Sequence, residues 1–204
     1  MIEQTLRTIS KTELLCQLYT DEEKNTFWIN IYNAYYQLLA GRINTQTKRI
    51  FSKKQINIAQ ISFSLDAIEH GILRKYRWKK SFGYLPNPFA SLLIRKLAVK
   101  EIDYRIHFAL NCGAKSCPPI AFYTLEKLDK QLDDAMYSFL FSETTLDREN
   151  KTITTSKLLH WYQGDFGSLK GVKNTLKNVL QVEITSHKLK FNSYSWETQL
   201  ENYA

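Results

Sequence analysis

Apolar and polar positions follow two rhythms along this chain, one helical and one extended. Ser10 with Glu13, and Thr20 with Glu23, each place a hydroxyl three residues before a glutamate, the reciprocal cap that opens a helix. They predict a short helix over 11–19 and a longer one from Asp21 to Ala40, closed by Gly41. Cys16, inside "ELLCQLY", reads as a small inert core residue. In the longer helix, "TFWINIYNAYYQLLA", Phe27, Trp28, Ile29, Ile31, Tyr32, Tyr35, Tyr36, Leu38 and Leu39 surround the axis almost completely. That is the pattern of a central helix buried on most sides. Its exceptions, Thr26, Asn30, Asn33 and Gln37, share one stripe and carry no charge. Buried amides must find partners or cost roughly 1–3 kcal/mol each. The stripe therefore either ties the helix to neighbouring backbone or faces the wall of a site.

The helical period returns at Leu65, capped by Ser64, and sets Asp66, His70 and Arg74 one turn apart on one face. "YLPNPF" is a turn-rich loop, because a residue before proline is pushed out of the helical region. A helix through "SLLIRKLAV" leads into "RIHFALNCGAKSCPPI". The first part of that segment reads as a strand with His107, Ala109 and Asn111 on one face and Ile106, Phe108 and Leu110 on the other. Gly113 frees the chain to turn, and Pro118-Pro119 ends the loop. Further on come a helix over 124–141, a strand "TITT", a helical "SKLLHWYQ" stopped by Gly164, a helix after Ser168, and a closing hairpin or strand pair in "QVEITSHKLKFNSYSW". The sum is a mostly helical α+β fold with a small antiparallel sheet, expected to form one domain over 1–204.

Composition supports this picture: 204 residues that are 44% hydrophobic can bury one sizeable core. The longest uncharged run, 25–41, is too short and amide-rich for a membrane span, which takes about 20 mainly apolar residues. The N-terminus lacks the pattern of a secretory leader, and three cysteines without a disulfide framework fit a reducing compartment, so the expected location is cytoplasmic. Charge changes the picture more. From Arg42 to Lys100 thirteen Lys or Arg face only Asp66 and Glu69, so this third outweighs the whole chain's net charge of +8. A field that one-sided favours an anionic partner, whether an acidic protein, a nucleic acid or a lipid surface. "RKYRWKKSF" interleaves Tyr76, Trp78 and Phe82 with cations, as single-strand binders do.

Four segments together, "FWINIYNAYY", "SLDAIEHGILR", "RIHFALNCGAKSCPPI" and "WYQGDFG", resemble in order and spacing the bacterial members of domain-of-unknown-function family 547. The closing "KLKFNSYSW" resembles that family's usual end, so the likeness runs from about residue 20 to 200. It implies a shared fold and no established activity.

The chemistry-bearing residues lie in those same segments. For acyl transfer by a thiol, as in a peptidase, amidase or transglutaminase-like enzyme, Cys117 or Cys112 would be nucleophile, His107 or His70 its base, and Asn111 or Asp66 the group orienting the imidazole. "NCGAKSC" resembles the papain-type "CGSCW" loop, in which the second cysteine attacks, and this puts Cys117 ahead of Cys112. Asn30, Asn33, Asp66, Arg74 and Asp165 are the candidate binding residues. A second possibility is a non-catalytic binding module that uses the basic segment, and a third is a dithiol redox pair, since Cα atoms within about 7 Å would allow a disulfide. Two cysteines with His107 supply three zinc ligands and nothing completes the set, so no metal or other cofactor is expected. Convergence of the four segments on one place would mark a site.

Overall fold

The computed structural model describes residues 2–42 and 49–204, so Lys48 and the side chain of Arg42, both counted in the basic segment, lie outside the described residues. Helices α1 (Ile2–Thr8) and α2 (Lys11–Gln17) lead into α3 (Asp21–Arg42). The predicted caps are present: Ser10 Oγ accepts from the Glu13 N–H, and Thr20 and Glu23 cap each other reciprocally. Trp28, Ile29, Tyr32 and Tyr36 of α3 are buried, as the all-round apolar pattern requires. Its amide stripe holds backbone. Asn30 exchanges two hydrogen bonds with the Tyr123 main chain, Asn33 donates to Ala109 O and accepts from the Asn111 N–H, and Gln37 accepts from the Glu201 N–H. Cys16, in contrast, is exposed on α2 and is no part of the core.

After α4 (Arg49–Ser52), strands β1 (Ile56–Ile58) and β2 (Ile61–Phe63) form an antiparallel hairpin. Ala59 and Gln60 turn it with positive φ at both positions, a conformation in which Asn-Gly is the usual signal. The helix predicted from Leu65 is a π-helix over Ala67–Leu73, with Arg74 N–H bonded to Glu69 O and Tyr76 N–H to Gly71 O. Such i→i+5 turns are rare and concentrate at functional sites. Helix α5 (Leu92–Leu97) follows, as predicted.

The strand predicted at 105–111 is instead a 3₁₀ turn, Tyr104–Phe108, started by Asp103 accepting from the Arg105 N–H. With three residues per turn, consecutive side chains point in three directions rather than two. Ile106 enters the apolar cluster around α3, Phe108 enters a second cluster with Phe139, Leu159 and Phe166, and His107 faces the seam between them. Residues 106–110 are all buried, and a continuous apolar run of that kind does not distinguish strand from turn.

Helix α6 (Leu128–Glu143) is joined to β3 (Thr145–Asp147), which pairs antiparallel with β4 (Thr152–Thr155). The chain then makes α7 (Leu158–Trp161) and α8 (Leu169–Leu180) before β5 (Lys188–Phe191) returns beside β4 in parallel. The expected closing hairpin is therefore a single strand, and the three-stranded sheet is mixed rather than antiparallel. Residues 195–204 strap across the cysteine loop through Lys115, Gln199, Ile120 and Ala204 main-chain hydrogen bonds. No helix among the described residues is long and apolar enough to cross a membrane.

The segment before α5 and the segment after α7 meet closely where the Gly164 N–H donates to Phe82 O at 2.8 Å. A Cβ on Gly164 would lie 2.5 Å from the Gly83 carbonyl carbon, and backbone there cannot rotate away. Gly164→Ala is expected to destabilise the protein by about 1–3 kcal/mol. Urea denaturation checks this, and a loss below about 0.5 kcal/mol would mean the contact yields freely.

Candidate functional site

Arg74, Asp165, His70 and His107 form one buried chain of hydrogen bonds. Arg74 Nε and Nη2 donate to the two Asp165 oxygens at 2.5 and 3.2 Å, and Nη1 meets His70 Nδ1 at 2.7 Å. His107 Nε2 lies 2.8 Å from Asp165 Oδ2. Neither Arg74 nor Asp165 reaches solvent. A guanidinium only donates, so His70 Nδ1 must accept and its proton sits on Nε2, 3.7 Å from Asp66 Oδ1. A carboxylate only accepts, so His107 Nε2 carries the proton and Nδ1 is left as an acceptor. The His107 ring stacks on Tyr162 at 4.0 Å, and the Arg74 guanidinium lies over the same ring at 4.5 Å.

Glu69, next in sequence to His70, accepts from Tyr162 at 2.7 Å and Tyr32 at 3.1 Å. Burial pushes its carboxyl upward, but the neighbouring His70 imidazole, the Arg74 guanidinium and the Tyr162 hydroxyl outweigh that and hold its pKa below the ordinary value. Asp165 behaves alike: burial raises it, and His107 and Arg74 pull it below. Burial lowers both imidazoles, against the opposing pull of Glu69 on His70 and of Asp165 on His107. Burial also drives the Tyr32 and Tyr162 hydroxyls well upward, with Glu69 adding to it, so both stay protonated donors.

This network forms one wall of a cavity of about 700 Å³, bordered by Glu69, His70 and His107, by Asp66 with its ion-pair partner Lys79, and by Cys112 and Cys117. Aromatic rings complete it: Tyr32, Tyr36 and Phe51 from the N-terminal part of the chain, and Trp161, Tyr162, Tyr194 and Trp196 from the C-terminal part. Cys112 and Cys117 are joined as a disulfide, with Cα atoms 6.3 Å apart. Asn111 shapes their loop by donating to Pro118 O and accepting from the Gly113 N–H. Gly113 has φ +70°, and a Cβ there would strike the Tyr36 ring. Cys117 Sγ accepts from the Cys112 N–H at 3.2 Å and lies 3.1 Å from the Tyr194 hydroxyl, which is 3.6 Å from Cys112 Sγ.

Residues 16–140 match the family model described as "Protein of unknown function, DUF547". The chain belongs to that family. Within the DUF547 match lie α3, the π-helix, the 3₁₀ turn and the cysteine loop, while "WYQGDFG" and the C-terminal strap fall beyond it. No curated protein and no solved structure matches the chain.

Of the sequence candidates, Cys112, Cys117, His70, His107 and Asp66 border the cavity of this DUF547 domain, and Arg74 and Asp165 support it from behind. Asn30, Asn33 and Asn111 do not enter it; each spends its amide on backbone. Sequence inspection missed Glu69, Tyr32, Lys79, Tyr162 and Tyr194. Glu69 sits beside His70 in "SLDAIEHGILR", and Tyr162 and Tyr194 lie inside "WYQGDFG" and "KLKFNSYSW", so the family motifs were the available signal. Among the described residues no group of His, Cys, Asp and Glu is arranged to hold a metal ion.

The shifts fix the sign of the acid response. His70 and His107 have folded pKa values below the unfolded value of about 6.5, so the unfolded chain takes up protons first. The stability their neutral rings contribute is complete above about pH 6.5 and is lost as pH falls toward the folded values. Glu69 and Asp165, also depressed, add a further loss below about pH 4. Urea unfolding should therefore show stability declining from about pH 7 to about pH 5, and His107→Gln should flatten that slope. A wild-type profile level across this range would contradict the assignment of neutral rings.

Proposed function

We propose that this domain carries out thiol–disulfide exchange on a small thiol or disulfide compound held in the aromatic cavity. One observation carries the proposal: the Cys112–Cys117 pair borders the cavity, and Cys117 Sγ holds both the Cys112 N–H and the nearer approach of the Tyr194 hydroxyl. Cys112 is the less buried of the two residues. A ligand thiolate attacks Cys112 Sγ, the Cys112–Cys117 bond breaks, and its electron pair leaves on Cys117. Two donors then receive that thiolate, and a better-stabilised leaving thiolate departs faster. The second thiolate of a dithiol ligand attacks its own sulfur in the mixed disulfide and displaces Cys112 as thiolate. The ligand is oxidised by two electrons, the protein is reduced by two, and the thiol protons pass to solvent. The reverse sequence reduces a ligand disulfide.

Thiol acyl transfer is the second reading, because His70 and His107 border the same cavity. It is weaker. Among the described residues no imidazole nitrogen is hydrogen-bonded to a sulfur, and Arg74 and Asp165 each occupy one.

Tyr194→Phe separates the two. Removing a donor worth about 1.4 kcal/mol to a thiolate should make the Cys112–Cys117 potential about 30 mV more negative, read by equilibration with a glutathione buffer. His107→Gln should leave that potential nearly unchanged. An unchanged potential in Tyr194→Phe, together with slower alkylation of the reduced protein in His107→Gln, would favour acyl transfer.

A further inference from the structure

We infer that the lobe from Tyr76 to Lys96 is a docking face for an anionic lipid surface. The lobe is built rather than loose. Trp78 N–H bonds to Leu85 O, Asn87 N–H to Tyr76 O, and Ala90 N–H to Asn87 O. The Arg95 guanidinium lies over the Tyr76 ring at 4.7 Å and donates to Ala90 O and Pro88 O, pinning the second loop against the first. Its underside packs on the rest of the molecule, since Phe82 O accepts from Gly164 and the Phe82 ring meets His160.

Its outer side is apolar where a water-facing loop would be polar. Phe89 is 91% exposed, Leu92 79% and Leu85 56%, with Trp78 and Tyr84 about half exposed beside them. Large apolar side chains exposed together in this way mark a contact surface. Along the chain, the charge of this stretch has one sign. Between Glu69 and Glu101 the chain holds eight Lys or Arg and no Asp or Glu. Arg74 is sealed inside and Lys79 is held by Asp66, but Lys80, Arg95 and Lys96 of the lobe are exposed.

Exposed apolar side chains interspersed with cations complement the interface of an anionic bilayer, where aliphatic and aromatic side chains enter the headgroup boundary and Lys and Arg meet lipid phosphates. Nucleic acid fits less well, because Leu85 and Leu92, exposed beside the aromatic rings, offer aliphatic surface on which no base stacks.

The test is co-sedimentation of the full chain with vesicles of phosphatidylcholine alone or mixed with phosphatidylglycerol. Binding is expected to the mixed vesicles, to weaken steeply between about 0.1 and 0.5 M salt, and to be feeble on phosphatidylcholine. Phe89→Asp with Leu92→Asp should lower the partition coefficient at least about tenfold, and Lys80→Glu with Lys96→Glu should do so on mixed vesicles only. All four side chains are exposed, so unchanged thermal unfolding of both variants is expected. Failure of the wild type to pellet with mixed vesicles would overturn the inference, as would undiminished binding by Phe89→Asp/Leu92→Asp. So would binding confined to a single-stranded oligonucleotide or an acidic polypeptide.

Discussion

A single guanidinium, that of Arg74, organises this molecule. Burying a cation costs several kcal/mol, and the site survives because Arg74 makes three hydrogen bonds and rests on an aromatic ring. Asp165 takes two bonds, His70 takes a third, and Tyr162 lies beneath the plane. His70 belongs to the same π-helix, but Asp165 and Tyr162 lie far along the chain, so satisfying one charge fixes the relative placement of the π-helix and the segment after α7. The consequences spread outward. Asp165, held by Arg74, orients His107; His70, held by Arg74, keeps its proton on the nitrogen facing Asp66; Glu69 stays ionised in the same field.

The backbone departs from regular geometry at the places this arrangement requires. A π-helix lets Glu69, His70 and Arg74 all reach the seam between the two apolar clusters, and a 3₁₀ turn sends Ile106, His107 and Phe108 to three different destinations. Gly83 and Gly164 allow the main chains on either side of Arg74 and Asp165 to touch. The segment entering the C-terminal strap brings Tyr194 to the cysteine sulfurs, and the strap itself brings Trp196 to the cavity wall. The polar network, the disulfide and the aromatic lining are thus three sides of one enclosure.

Much of the helical frame was legible because caps and all-round apolarity are local signals: the Ser10 and Thr20 caps and the buried α3 follow from a few residues each. The β1–β2 hairpin was not, since Ala59-Gln60 adopts a turn that ordinarily advertises itself by Asn-Gly. The strand expected at 105–111 failed for a different reason: burial on all sides erases the alternation that separates strand from turn. In the site, spacing alone brought Asp66, His70 and Arg74 forward. It also brought forward Asn30, Asn33 and Asn111, whose amides satisfy backbone. Tyr162 and Tyr194 acquire their roles only from tertiary contacts, with Glu69 in one case and the cysteines in the other.

The most direct test of the organising role of Arg74 is a double-mutant cycle on Arg74→Met and Asp165→Leu, followed by urea unfolding. Either single change leaves the opposite charge buried without its partner, so each should cost about 3–5 kcal/mol. The double variant removes both charges and should cost at least about 2 kcal/mol less than the sum of the singles. Costs that add to within about 0.5 kcal/mol would contradict the account, because the two groups would then be independent and the enclosure would not depend on their pairing.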